Sequence, residues 1–215
     1  MNRKLKALSV SACAVLVVVA LGGMNARAET GGHFVTEAAP AIIKGTEGGN
    51  HHLHFAVDGG VAIGCKEDSY VATMGTTTAT ELNLTPSWSK CSTTTEGGGE
   101  FDIEEKGCTI QLTIGKNPTG HNTGHFVCPA GVTGIDIKHP NCTIRVPPQT
   151  FTGMAYLKGP ENSVTLNSTT VSLTIHHEGG PCIFLGTTHS GTFIGSMVLR
   201  ATTFSGNPTG LSATG

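Results

Sequence analysis

Around four cysteines of this chain, polar and apolar residues alternate with period two, which is the pattern of a β-strand with its sulfurs on the buried side. In Cys108-Thr109-Ile110-Gln111-Leu112-Thr113-Ile114, Cys108 shares a face with Ile110, Leu112 and Ile114. Cys65 follows Val61 and Ile63 in the same parity, Cys128 goes with Phe126, and Cys142 with Ile144 and Val146. A chain built this way is confined to sheets whose core faces carry the crosslinks. Helix has little room in it. From Glu29 onward no window keeps apolar residues at i, i+3, i+4 and i+7 over three turns, and Gly or Pro interrupts most stretches.

The first thirty residues set the redox environment. Arg3, Lys4 and Lys6 precede an apolar run from Ala7 to Gly22, and Ala26-Arg27-Ala28 forms an A-x-A cleavage site before Glu29. That is the layout of a secretory signal peptide over 1–28. The apolar run is shorter than the roughly 20 residues of a spanning helix. The alternative is a lipoprotein acylated at Cys13, after Val10-Ser11-Ala12; it would leave Val15 to Leu21 as an exposed apolar tail. The expected destination is secreted and extracellular, or periplasmic where an outer membrane exists, with no membrane span after cleavage. No anchoring segment is evident in the closing GLSATG.

Cleavage after residue 28 leaves 187 of 215 residues, read as one all-β domain over 29–215. Four of the thirteen Lys and Arg leave with the signal, so nine cations face fifteen Asp and Glu, a balance of −6. The nine are scattered singly, which argues against a nucleic-acid partner. Six cysteines remain, at 65, 91, 108, 128, 142 and 182, and none forms the C-x2-C pairs of a structural zinc site. Three disulfides are expected. Folding Cys108 to Cys128 as a hairpin around GKNPTGHNTG sets Ile110 opposite Phe126 and Cys108 opposite Cys128, within bridging distance. Sequential pairing would then join Cys65 to Cys91, across a segment read as loop-rich, and Cys142 to Cys182. It is one of the fifteen connectivities that six cysteines allow.

Further strands are expected at 41–44, 52–57, 81–85, 100–104, 134–138, 150–157, 163–176 with one break, and 192–202. Short strands at this spacing point to a disulfide-stabilised antiparallel β-sandwich of Greek-key type, or a distorted barrel. The succession HHLHFAVDGGVAIGC, LNLTPSWSKC, KGCTIQLTI, HFVCPAGVTGIDI, NCTIRVPPQ and GTFIGSMVLRATT resembles a group of exported actinobacterial proteins with cysteines in this order. The resemblance implies a secreted, disulfide-bonded β fold and brings no activity, substrate or catalytic residue with it.

Chemistry-bearing motifs are sparse. There is no G-x-S-x-G nucleophile elbow, and His189-Ser190-Gly191 reads as a polar turn. Glu100, Asp102 and Glu104 alternate with Phe101 and Ile103, so they read as a solvated strand face rather than a glycosidase pair. Gly97-Gly98-Gly99 has no following helix or Lys to hold phosphate. Trp88, Tyr70 and Tyr156 would make a sugar platform only if coplanar and exposed; with eleven aromatics in 187 residues, most are expected to be buried. Histidine is the unusual count, at ten. His52 and His54 fall on one side of a strand, roughly 7 Å apart, and with His176 they form a candidate Zn²⁺ or Cu²⁺ set. The first reading is a non-enzymatic scaffold or adhesion module for an unknown extracellular or envelope ligand, with no cofactor. The alternatives are a secreted metal-binding protein, and a hydrolase whose site is assembled from distant residues.

Overall fold

Two long antiparallel ribbons organise the molecule. The first pairs β4 (Val61–Met74) with β6 (Glu81–Thr93), and the second pairs β13 (Val164–Glu178) with β14 (Thr188–Thr203). The computed structural model describes residues 31–47, 54–57, 61–93, 99–115, 122–140, 142–178 and 188–215. The expected signal segment 1–28, His52, Cys182 and residues 116–121 of the hairpin loop lie outside the described residues.

Shorter strands join the ribbons at two levels. At the first, β6 leads through β8 (Thr109–Thr113), β9 (Asn122–Val127) and β12 (Gln149–Lys158) to β13, while β2 (Ala41–Glu47) links β14 back to β4. At the second, β6 leads through β7 (Glu100–Glu104), β10 (Ile135–His139) and β11 (Cys142–Val146) to β13, while β3 (His54–Val57) links β14 to β4. Each level is a closed antiparallel ring of eight strands. Of the two expected architectures, these pairings are those of a distorted barrel. An eight-stranded ring has an interior just wide enough for side chains to fill. The first ring is filled by Leu82, Leu84, Ile110, Leu112, Phe126, Phe151 and Leu199, the second by Ile63, Ile103, Ile135, Ile137 and Ile144; all belong to one connected core.

A small sheet covers one end of the first ring. It consists of β1 (His33–Thr36), flanked by β5 (Thr78–Ala79) and β16 (Leu211–Thr214). Phe34 descends from it, fully buried, and meets Tyr156 edge-on with ring centroids 5.4 Å apart. The remaining strand, β15 (Pro208–Thr209), pairs with the end of β14.

The segment expected as loop between Cys65 and Cys91 is instead the β4–β6 ribbon. Along β4 the buried residues are Ile63 and Cys65, then Tyr70, Ala72 and Met74. Their parity changes across Lys66 to Ser69, so opposite faces of one ribbon serve the core above and below that point. Pro86 lies within β6 opposite Tyr70, between the stretches paired with β8 and β7, where the outer edge of β6 has no neighbouring strand. A residue without an N–H is tolerated at such an edge.

Side chains replace the missing ladder where the wall divides. The Trp88 backbone N–H donates to Glu105 Oε1 at 2.8 Å. Across the other ribbon, Gln149 acts as a short strand: Thr174 N–H donates to its Oε1 at 2.7 Å, and its Nε2 donates to Thr174 O at 2.9 Å. A buried backbone group left without a partner costs about 1–3 kcal/mol; the Trp88 amide is partly buried, whereas the Gln149–Thr174 pair faces solvent and contributes less.

Two disulfides join pairs of described residues, and Cys142 is disulfide-bonded as well. Cys65 and Cys91 are directly opposed, with Cα atoms 3.9 Å apart, and Cys108 and Cys128 close the β8–β9 hairpin at 4.0 Å. Ile110 faces Phe126, as the hairpin register required. The expected strands at 41–44, 81–85, 100–104, 134–138, 150–157, 163–176 and 192–202 are all present, most of them extended by a few residues. The expected break in β13 is a register shift between Ser168 and Val171.

Candidate binding site

The outer surface of the second ring carries the most chemically varied depression among the described residues, about 760 Å³ in volume. It is lined by Phe101 of β7 and His139 of β10, which share strand parity with buried Ile103 and Ile137, and by Lys66, Lys90, Ser92, Glu100, Asp102, Lys138 and Pro140. Phe101 and His139 stand side by side, ring centroids 5.2 Å apart and planes inclined by 39°. Gly99 makes room for this pair. A Cβ built there falls 2.4 Å from His139 Nε2, so any side chain would displace the imidazole.

The strands position the groove through charge. Asp136 is buried on the outer face of β10, where Arg145 Nε donates to Oδ1 at 2.8 Å, Arg145 Nη2 donates to Oδ2 at 3.2 Å, and Lys106 also bonds. Burial pushes the Asp136 carboxyl upward, but the hydrogen bonds and charge of Arg145 and Lys106 outweigh it and hold the group below its ordinary value. This cluster ties β10 to β11 and to the β7–β8 turn, where Lys106 and Gly107 take positive φ of 52° and 76°. Nearer the groove, Lys138 bonds Glu104 and is raised above its ordinary value by that contact. Lys90 bonds Glu67, whose carboxyl is lowered chiefly by Lys90 and then by Ser89. Pairs exposed to this degree contribute little to stability. They do fix where donors and acceptors stand.

The acidic strand follows its expectation, with Glu100 and Asp102 exposed and Glu104 half-buried against Lys138. The aromatic trio is buried: Trp88, Tyr70 and Tyr156 retain 4%, 0% and 3% of their surface. Trp88 Nε1 donates to Tyr70 Oη at 2.9 Å, and burial drives the Tyr70 phenol well above its ordinary value. His189-Ser190-Gly191 is not a turn. It lies within β14, opposite Ile175, Thr174 and Leu173.

His54 and His176 are not drawn together by the register. His54 lies opposite Ile194 of β14, whereas His176 lies opposite Thr188. Those partners are six positions apart on one strand, a separation of about 20 Å at 3.3 Å per residue. His52 is outside the described residues. Among the described residues no three His, Cys, Asp or Glu side chains stand close enough to hold a metal ion.

Sequence reasoning passed over Phe101 and His139. The available signal was a large aromatic inside the acidic run Glu100-Phe101-Asp102, and its neighbour, His139, stands thirty-eight residues further on. The chain matches no protein-family model, no curated protein and no solved structure. Its class is therefore defined by its own architecture, a disulfide-bonded, all-antiparallel β-barrel built on shared ribbons.

Proposed function

We propose that the protein is a non-enzymatic binding module that works outside the cytoplasm and holds a polyhydroxylated ligand, a saccharide of an envelope or extracellular surface, in the Phe101–His139 groove. The single observation carrying this reading is the pair of adjoining rings flanked by charged groups of both signs. A sugar ring offers a C–H face that packs on an aromatic ring and a rim of hydroxyls that bond to carboxylates, ammonium groups and Ser. Phe101 and His139 supply the rings, and Asp102, Lys138 and Ser92 line the same depression. The disulfides are compatible with an oxidising compartment. No helix among the described residues is long and apolar enough to cross a membrane.

The test is a glycan array probed with the oxidised protein, followed by calorimetric titration of the strongest binder. Phe101→Ala is expected to weaken that binding at least about tenfold, which corresponds to 1.4 kcal/mol. A wild-type protein that binds no glycan, or a variant that binds as tightly, overturns the reading.

A further inference from the structure

The register of the second ring sets the charges of the groove in one line. Cys65 pairs with Cys91 and Glu67 with Ser89, so Lys66 stands opposite Lys90. One step beyond the Cys91–Phe101 pair, Lys90 comes level with Asp102, which in turn faces Lys138. These four alternate with the buried Cys65, Cys91, Ile103 and Ile137 and therefore project outward. Across four neighbouring strands the row runs ammonium, ammonium, carboxylate, ammonium, and every member lines the depression. Phe101 and His139 line it too, at the rim where β7 begins and β10 ends.

Two features of the row act against folding. Like charges directly opposed on antiparallel strands repel, and Lys90 takes a φ of 53°, a left-handed value that disfavours a residue with a Cβ. Backbone strain of this kind collects at ligand clamps. Lys90 is held by Glu67 and Lys138 by Glu104, whereas Lys66, exposed, has no carboxylate partner among the described residues. An anion set between Lys66 and Lys90 relieves their repulsion.

From the unpaired cation and the alternating row we infer that the saccharide held in the groove is acidic, its uronate residues separated by neutral ones, with one uronate carboxylate between Lys66 and Lys90. The inference rests on the saccharide reading. Sparse charge follows from the acids nearby. Asp102 lies between two cations, Glu67 and Glu104 hold theirs, and Glu100 stands one row away beside Ser92, so a densely sulfated chain would meet four carboxylates. At about 4.8 Å per strand, Lys138 lies two spacings from Lys90 and three from Lys66, about 10–14 Å. A disaccharide unit of a β-linked chain covers about two strand spacings, so uronates on alternate residues keep step with these cations. The neutral residue between them offers its hydroxyls to Asp102.

The experiment is calorimetric titration with an octasaccharide of alternating glucuronate and N-acetylglucosamine, and with the same chain after its carboxyl groups have been reduced to alcohols. Wild type is expected to bind the acidic chain at least about tenfold more tightly than the reduced one, a preference that rising salt erases. Lys66→Met should bring the acidic chain down to the affinity of the reduced chain and leave the latter unchanged, and Lys66→Arg should keep the preference. Equal affinities of wild type for the two chains overturn the inference, as does a preference that survives in Lys66→Met. Tighter binding of heparin, a densely sulfated chain, overturns it as well. Phe101→Ala keeps the two readings apart: a reduced chain that binds through Phe101 with no preference for acid leaves the groove standing and removes the uronate. Binding of neither chain overturns the inference and leaves the groove to the glycan array.

Discussion

Replacing the Cys65–Cys91 bridge by two alanines should remove a large part of the protein's stability, by an amount set by the chain it encloses. The two residues are 26 apart in sequence, and each is 1% exposed. In the chain-entropy account, a crosslink spanning 26 residues restricts the unfolded state by about 3.5 kcal/mol at 25 °C. The 20-residue span of Cys108–Cys128 gives about 3.3 kcal/mol by the same relation. Either is a substantial share of the 5–15 kcal/mol typical of a folded domain. The chain reports its own unfolding, because Trp88 is its one tryptophan, buried in β6 three residues before Cys91. Urea titration followed by Trp88 emission should show the midpoint falling by about 1.5–2 M, taking a slope of roughly 2 kcal/mol/M. A loss below about 1 kcal/mol would refute the reasoning. It would mean that the β4–β6 pairing persists in the unfolded chain, leaving the crosslink little entropy to remove.

Asp136→Asn should cost about 2 kcal/mol in a urea titration near neutral pH, since Arg145 and Lys106 keep partial solvent contact and their loss of a partner is only partly felt. Because the folded Asp136 carboxyl sits below its unfolded value of about 3.9, its contribution is fully present above that pH and fades as pH falls through the folded value. A pH series should therefore show wild type losing this increment in acid while the Asn variant does not; parallel curves would contradict the assignment. Gln149→Ala opens the substitute ladder to β13 and, because that ladder faces solvent, should cost only about 0.5–1 kcal/mol. Hydrogen exchange at the Thr174 amide should accelerate selectively, and an unchanged rate would remove Gln149 from that role.

The strands that could be read from sequence are those whose two faces keep one identity throughout. Glu100–Glu104 alternates without interruption, and β8 and β9 are locked by a local hairpin, so periodicity alone located them. The β4–β6 ribbon escaped because its pattern is two half-patterns of opposite parity joined through Lys66, Glu67, Asp68 and Ser69, which look like a loop when read in line. Pro86 hid the continuation of β6 beyond the expected 81–85 in the same way; only the gap between β7 and β8 makes it acceptable. Ring closure depends on which strands pair across the β4–β6 and β11–β13 seams, and no local pattern encodes that. The candidate groove was obscured for a similar reason. Phe101 and His139 are brought together by the β7–β10 register, in which Asp102 opposes Lys138, and neither residue marks the other in the sequence.

The two levels of the barrel should respond to substitution independently, for reasons that lie in the wall itself. The groove draws on Lys90 and Ser92 at one end of β6, whereas Tyr156 lies beyond the point where β12 leaves β9. Continuous β4–β6 and β13–β14 ribbons run between the two levels, and a close-packed interior transmits displacement only when an element has a second arrangement to adopt. With each ring closed, few strands are free to shift. A Phe101→Ala, Tyr156→Phe double variant should therefore show stability changes that sum to within about 0.3–0.5 kcal/mol of the singles. Saccharide binding should match that of Phe101→Ala alone. Coupling above about 1 kcal/mol would show that the ribbons do move between two states, and the rigid-barrel account would have to be abandoned.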